Sequence, residues 1–119
     1  MTDTATPLTP FIHAADQVTG LEDWGALEEA TGPAMTTSGS TLWTGEGAQE
    51  VGIWECTPGP SRWLLETHES IQVVSGRMTV TVDGGQPVEL AAGDTAVFPK
   101  GWSGTWDIAE TLRKVYVIF

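Results

Sequence analysis

The stretch ETHESIQVVSGRMTV, residues 66–80, carries the clearest strand pattern in the chain. Successive side chains of a strand point to opposite faces, so Glu69 and Ile71 share one face while the residues between them share the other. Further along, Met78 and Val80 alternate with threonines before the glycine-rich turn DGG, which predicts a β-hairpin. The stretch therefore predicts two extended segments with one face directed toward a core.

The rest of the chain from about Thr41 onward follows the same pattern. Short β-branched and aromatic runs are interrupted by TGEG, TPGP, DGG, AAGD and PKG, at spacings of roughly eight to twelve residues. Regular strands of this length with turn signals between them are typical of an all-β sandwich or barrel. The predicted fold class is therefore all-β.

Helical periodicity occurs in one place before these strands. Leu21, Trp24 and Leu27 recur at three-residue steps, and the pair Gly32-Pro33 ends the pattern. This spacing predicts a short amphipathic helix over about residues 21–31. The predicted organisation is an N-terminal extension carrying that helix, residues 1–40, followed by the barrel, residues 41–119.

Composition excludes several classes of function. The chain has 119 residues and a net charge of −11, with no Lys or Arg before Arg62, so binding to nucleic acid or to an anionic membrane surface is not expected. The start of the chain has no basic n-region and no Arg-rich pattern, which predicts a cytoplasmic protein. Cys56 is the only cysteine, so no internal disulfide can form and a buried, inert thiol is expected.

Two short motifs resemble those of the cupin barrels. Glu69 is followed after six residues by Gly76, and Gly93 is followed after five residues by Pro99-Lys100-Gly101. With the stretches GIWECTPGPSRW, FPKGWSGTW and ETLRKVYVI, residues 50–119 resemble the small single-domain cupins grouped with ureidoglycine aminohydrolase and the ethanolamine-utilisation cupins. The resemblance implies a jelly-roll β-barrel, commonly a homodimer, with a ligand pocket inside the barrel.

The residues that hold the metal in such barrels are missing from this chain. Counted back from Glu69, the two histidine positions fall on Trp63 and Leu65, or on Arg62 and Leu64 if the gap is one residue longer. The third histidine position falls on Gly104. Because a catalytic transition metal generally needs three or more protein ligands, we expect a barrel with neither a metal nor another cofactor.

Strand parity places tryptophans where the histidines would be. Trp102 and Trp106 share the inward face with Gly104, Trp63 joins them from the first motif, and Trp54 faces inward because Glu55 is the residue least suited to burial. These indoles either fill the core or line a pocket for a small organic molecule. A carboxylate among indoles favours an amine, another cation or a guanidinium-like group as the ligand. The candidate ligand-binding residues are Trp54, Arg62, Trp63, Trp102, Trp106 and Tyr116.

Glu69 is the candidate catalytic residue. If burial raised its pKa, it could act as a general acid or base in an aminohydrolase, lyase or isomerase, whereas a structural role would pair it with Arg62 or with backbone amides. A proton-transfer cycle needs a second titratable group, for which the candidates are Arg62, Lys114 and Tyr116. Parity does not decide whether Arg113 or Lys114 faces inward. Three hypotheses follow: a metal-free binding cupin, which is preferred, an enzyme that uses Glu69, and a structural dimer.

Overall fold

The computed structural model describes residues 7–119, which form eight β-strands and no helix. The predicted all-β class is confirmed. The strands are β1 (Glu22–Ala26), β2 (Thr36–Thr44), β3 (Glu50–Cys56), β4 (Gly59–Leu64), β5 (Glu69–Val82), β6 (Val88–Ala91), β7 (Thr95–Phe98) and β8 (Ser103–Ile118).

Two long strands, β5 and β8, run through both layers of the molecule and pair with each other antiparallel. The start of β8 pairs with β4 and its end pairs with β3, while β1 and β2 extend the sheet beyond β3. In the same way, the start of β5 pairs with β7 and its end with β6. One sheet therefore folds over on itself, which is the double-layered arrangement of a jelly roll.

Gly76 marks the point where β5 bends. The β5–β8 register shifts three times between Val73 and Met78, and Gly76 has φ of +85°. A Cβ at this position would collide with the carbonyl oxygen of Thr111 on β8. Glycine is required here because it alone combines a left-handed backbone with so close an approach.

The core lies between the two layers and consists of inward-facing residues from β3, β5, β6, β7 and β8, together with Met35 just before β2. Ile71, Met78, Trp106, Ile108 and Leu112 are at most 2% exposed. Trp106 lies at the centre of an aromatic group, since its ring is in contact with those of Trp54, Trp63, Phe98 and Trp102.

The predicted helix over residues 21–31 is wrong. Residues Glu22–Ala26 form the edge strand β1, which pairs with β2 through a bulge at Trp24. A bulge inserts one residue into a strand, so Trp24 and Leu27, three residues apart, both reach the interior. This reproduces the spacing of a helical face. The predicted boundary between residues 40 and 41 falls inside β2.

The described segment just before β1 contacts the outer face of the sheet through Ala15 and Val18. Arg113 points outward from β8 and donates hydrogen bonds to the carbonyl oxygens of Ala15 and Val18, while its Nε lies 3.1 Å from Glu55 Oε1. This arrangement accounts for the burial of Arg113 on the outer side. No helix within residues 7–119 has the length and apolar character needed to cross a bilayer.

Candidate ligand pocket between the two layers

Two glutamates lie on the inner face of the sheet, one on either side of β8. Glu50 on β3 and Glu69 on β5 are both paired with Ile118. Adjacent strands are about 4.8 Å apart, so the two Cα atoms are separated by about 10 Å. Register alone therefore brings two carboxylates to the same end of the interior.

Lys114 lies next to Glu69 on the inner face of β8. Its Nζ is 2.6 Å from Glu69 Oε2, and the side chain is only 4% exposed. The same Nζ lies 4.4 Å from the ring centre of Trp54 and 4.5 Å from that of Trp106. A carboxylate and two indole faces thus surround an ammonium that has three N–H donors. Of the two basic residues that parity left open, Lys114 faces the interior.

Tyr116 forms the second polar pair of the pocket. Its hydroxyl donates a hydrogen bond to the carboxylate of Glu50. Burial, followed by this contact with Glu50, raises the pKa of Tyr116 above its usual value, so the hydroxyl stays protonated at neutral pH. Gly52 faces Tyr116 across the strands, and a Cβ there would lie 2.8 Å from the hydroxyl oxygen. The absence of a side chain at Gly52 makes room for the tyrosine.

These groups line a cavity of about 210 Å³. Its walls are the indoles of Trp24, Trp54 and Trp63, and Ile118 lies between the two glutamates. Trp24 reaches the cavity from edge strand β1 across Gly39, where any Cβ would overlap the Trp24 ring. The cavity is therefore an aromatic pocket with two carboxylates, one ammonium and one hydroxyl.

The structure brings together some of the candidate residues and separates others. Glu69, Trp54, Trp63 and Tyr116 line the pocket. Trp106 is fully buried behind it, stacked on Trp63 with ring centres 4.3 Å apart, and its indole N–H has no hydrogen-bond partner among the described residues. The inward face inferred for Trp106 is correct, but the side chain belongs to the core.

Arg62 and Trp102 do not reach the pocket. Arg62 points outward, opposite to Trp63, and its guanidinium forms a half-exposed ion pair with Asp83, with a shortest N–O distance of 2.5 Å. Hydrogen bonds from Arg62 and then from Ser103 lower the pKa of Asp83 to about 2. Trp102 lines a separate groove beside β6 and β7. Arg62 was expected to contact the ligand, but it lies on the outer face. Neighbouring residues of a strand point to opposite faces, and Trp63 occupies the inner one.

Three pocket residues, Glu50, Trp24 and Ile118, were not sequence-derived candidates for any role in the site. Glu50 alternates with Gly52 and Trp54 along β3, so the period of two that placed Trp54 inside would also have placed Glu50 there. Trp24 was assigned to a helix. Ile118 is an aliphatic residue that nothing in the sequence marks as a ligand contact.

Comparison with known proteins identifies the family. A model of the EutQ-like cupin domain matches residues 44–116. The chain therefore belongs to the EutQ-like cupin family, and the resemblance noted in its motifs is confirmed. No curated protein matches the chain.

Solved structures share the fold. The EutQ protein of Clostridium difficile has 20% identity and a TM-score of 0.70, with 85% of this chain and 80% of that chain covered. A putative ethanolamine utilization protein from Salmonella typhimurium LT2 has 23% identity and a TM-score of 0.65, with coverages of 80% and 76%. A protein of unknown function from Pseudomonas syringae pv. tomato has 19% identity and a TM-score of 0.77; the match covers 86% of this chain but only 45% of that one.

The pocket does not fit the metal of metal-binding cupins. A side chain at Gly104, one of the histidine positions, would collide with the backbone of Thr81 and the ring of Trp102. Glu69 is already paired with the ammonium of Lys114. Within residues 7–119, no three His, Cys, Asp or Glu side chains are grouped so that they could hold a metal ion. The positive charge beside the motif glutamate is supplied by a lysine.

Proposed function

We propose that this cupin binds a small organic molecule, without a metal, in the pocket between its two layers. The observation that carries the proposal is the cavity of about 210 Å³ with three indole walls and two carboxylates. Binding sites are typically concave and mostly apolar, with a few convergent polar groups. The cavity is smaller than the range of about 300–1,000 Å³ typical of drug-sized ligands, which favours a ligand of few atoms.

An enzymatic role for the same pocket is the second candidate. It is favoured by the 2.6 Å contact between Lys114 Nζ and Glu69 Oε2, which supplies the second titratable group that acid–base chemistry at Glu69 needs. Aminohydrolase, lyase and isomerase reactions all require such proton transfers. Turnover of a substrate by the parent protein, lost in Glu69→Gln with the fold retained, would favour this candidate over simple binding.

The binding proposal is tested through the indole N–H signals of the six tryptophans. A panel of small amines, alcohols and carboxylic acids is titrated into ¹⁵N-labelled protein, and the signals are assigned by Trp→Phe variants. A ligand in the pocket shifts the signals of Trp24, Trp54 and Trp63. Trp43, which is 44% exposed on the outer face, is the internal control. If no panel member moves the three pocket signals, or if all shifts are confined to Trp43, the proposal is wrong.

Replacement of Trp63 provides a second test. Trp63→Ala removes one wall of the pocket and the stacking contact with Trp106, so any pocket ligand should bind more weakly. The free energy of unfolding should also fall, by about 3 kcal/mol, since this is the lower end of the range for removal of a buried aromatic side chain. A variant with unchanged stability and unchanged binding would show that the Trp63 ring is not a wall of the site.

A further inference from the structure

The charges inside the pocket do not balance. Glu69 and Lys114 form a closed pair, whereas the hydrogen-bond partner of Glu50 is the hydroxyl of Tyr116, which is neutral. Within the part of the chain that the structure describes, no Lys, Arg or His nitrogen lies within 4.0 Å of the Glu50 carboxylate. With both glutamates ionised, the pocket therefore holds one uncompensated negative charge, located at Glu50.

The charged and hydroxyl donors of the pocket are already engaged. Lys114 directs its ammonium at Glu69 and at the faces of Trp54 and Trp106. The hydroxyl of Tyr116 is donated to Glu50. The Oε1 atoms of both glutamates accept no hydrogen bond from any described residue. The ammonium of Lys114 makes one hydrogen bond, to Glu69, and is otherwise covered by the two indole faces, so the polar atoms most open to a ligand are carboxylate oxygens, which favour a ligand that donates.

We propose that the pocket selects a small monocation, a protonated amine or a guanidinium, and that Glu50 is the residue that determines this selectivity. The cationic N–H groups donate to Glu50, and the apolar part of the ligand lies against Trp24, Trp54 and Trp63. Indole faces also attract cations, so walls and carboxylate favour the same charge. An anion would meet the charge of Glu50 while the ammonium of Lys114 is already surrounded. This inference rests on the proposed function, because it names the ligand class of that same site.

Glu50, and not Glu69, is therefore the carboxylate that recognises the cation. The sequence pointed to Glu69 because it is the surviving motif residue, but its charge is matched by Lys114 at 2.6 Å. A ligand cation near Glu69 would have to compete with this ammonium. Glu50 presents no such competitor, so it is the carboxylate at which a cation gains most.

The ligand class is tested with three probes of nearly the same shape. n-Butylamine, 1-butanol and butyrate carry a positive charge, no charge and a negative charge at pH 7, and each is titrated while the indole signals of the pocket are followed. The parent protein should bind butylammonium about tenfold or more tightly than butanol, because a hydrogen bond to a charged group exceeds a neutral one by about that factor. Butyrate should bind most weakly. This ranking of the three probes is measured on the parent protein alone.

Glu50→Gln then identifies the residue responsible. The amide oxygen can still accept from Tyr116, so the variant should fold, and its butylammonium affinity should fall about tenfold, to the level of butanol, with butanol binding unchanged. Glu46→Gln, an exposed glutamate in the preceding loop, is the matched control for charge and should keep the parent's affinity.

The possible outcomes distinguish a wrong ligand class from a wrong binding site. Equal binding of amine and alcohol, or a preference for butyrate, would overturn the proposed ligand class while leaving pocket binding intact. An unchanged preference for the amine in Glu50→Gln would overturn the role assigned to Glu50. If the three probes leave the pocket indoles unmoved but an alcohol or a carboxylic acid of the wider panel shifts them, the ligand class is again rejected and the binding function survives. If nothing in either set binds, both proposals fall together.

Discussion

Lys114 and Glu69 form a buried ion pair whose members depend on each other. A buried pair is costly to desolvate, but removal of one partner is worse, because the other charge is then left without compensation. The two side chains are 4% and 11% exposed, so solvent screens them little. The pair gives the motif glutamate a charged partner in a pocket whose histidine positions hold other residues.

We therefore expect Lys114→Met to lower the free energy of unfolding by about 3–5 kcal/mol, because it leaves the Glu69 carboxylate buried alone. Glu69→Gln should also destabilise the protein, whereas the double variant should be more stable than the sum of the two single effects predicts. Urea denaturation of the four proteins measures this coupling. Arg77→Gln, which breaks only exposed ion pairs, is the control and should change stability little. Additive single effects at positions 69 and 114 would mean that the two charges do not interact.

Cys56 is a buried, free cysteine. Burial raises the pKa of its thiol to about 11, against the opposing effect of Lys114. Because the thiolate is the reactive form, we expect native protein at pH 8 to react with iodoacetamide on the order of a hundredfold more slowly than the chain unfolded in guanidinium. The native rate should rise with pH until about pH 11. Mass spectrometry after timed quenching follows the reaction, and equal rates in the two states would place the thiol at the surface.

Edge strand β1 supplies a pocket wall through its bulge. Pairing with β2 places Trp24 over Gly39, whose missing side chain leaves the space that the indole occupies. The helix expected from the spacing of apolar residues would have left this end of the pocket without that wall. The indole wall formed by Trp24 of β1 therefore depends on the glycine at position 39 of β2.

Gly39→Ala tests this complementarity. The new methyl group would overlap both the Trp24 ring and the carbonyl oxygen of Ile53, so we expect a loss of about 1–3 kcal/mol in stability and a displaced Trp24. Thermal unfolding gives the first quantity, and the indole N–H shift of Trp24 gives the second. The neighbouring change Ser40→Ala adds no atoms and should leave both nearly unchanged. If Gly39→Ala behaved like Ser40→Ala, the close packing of β1 on β2 would be disproved.

The outer face of the molecule carries an apolar row that crosses several strands. The strand register aligns Trp43 of β2, Val51 of β3, Val117 of β8 and Val97 of β7. Ser70 of β5 lies between Val117 and Val97. Trp43, Val117 and Val97 are 44%, 37% and 57% exposed. Apolar rows of this kind mark surfaces that associate with other chains. The predicted homodimer gains a candidate interface from this row.

We expect light scattering at micromolar concentration to give twice the mass of the 12.7 kDa chain. Val97→Glu should shift the population toward monomer, because it places a charge at the most exposed member of the apolar row, at its β7 end. Leu64→Glu adds the same charge at a position that is 70% exposed on β4, outside the row, and should leave the dimer intact. A parent protein with the mass of a single chain would refute the prediction, and equal effects of the two variants would place the interface elsewhere.

The sequence by itself determined the properties that depend on local spacing. The motif resemblance assigned Glu69 and Trp63 to the inner face, and alternation from Glu55 assigned Trp54 to it, because the period of two is a property of the extended backbone. Turn residues at regular intervals predicted the all-β class, and the spacing from Glu69 to Gly76 pointed to the cupin family. These inferences require no knowledge of which strand lies beside which.

The tertiary structure decided which side chains meet. Lys114 reaches Glu69 from 45 residues away, and Tyr116 reaches Glu50 from 66 residues away, both through strand pairing. The segment around Trp24, expected to be helical, is a bulged strand that forms a wall of the pocket. Arg62, a candidate partner for Glu69 in the sequence, instead pairs with Asp83 at the surface. Register and bulges are set by the packing of the whole sheet, and a one-residue shift would reverse every face. For that reason the chemistry of the pocket, unlike the class of the fold, could be determined only from the folded chain.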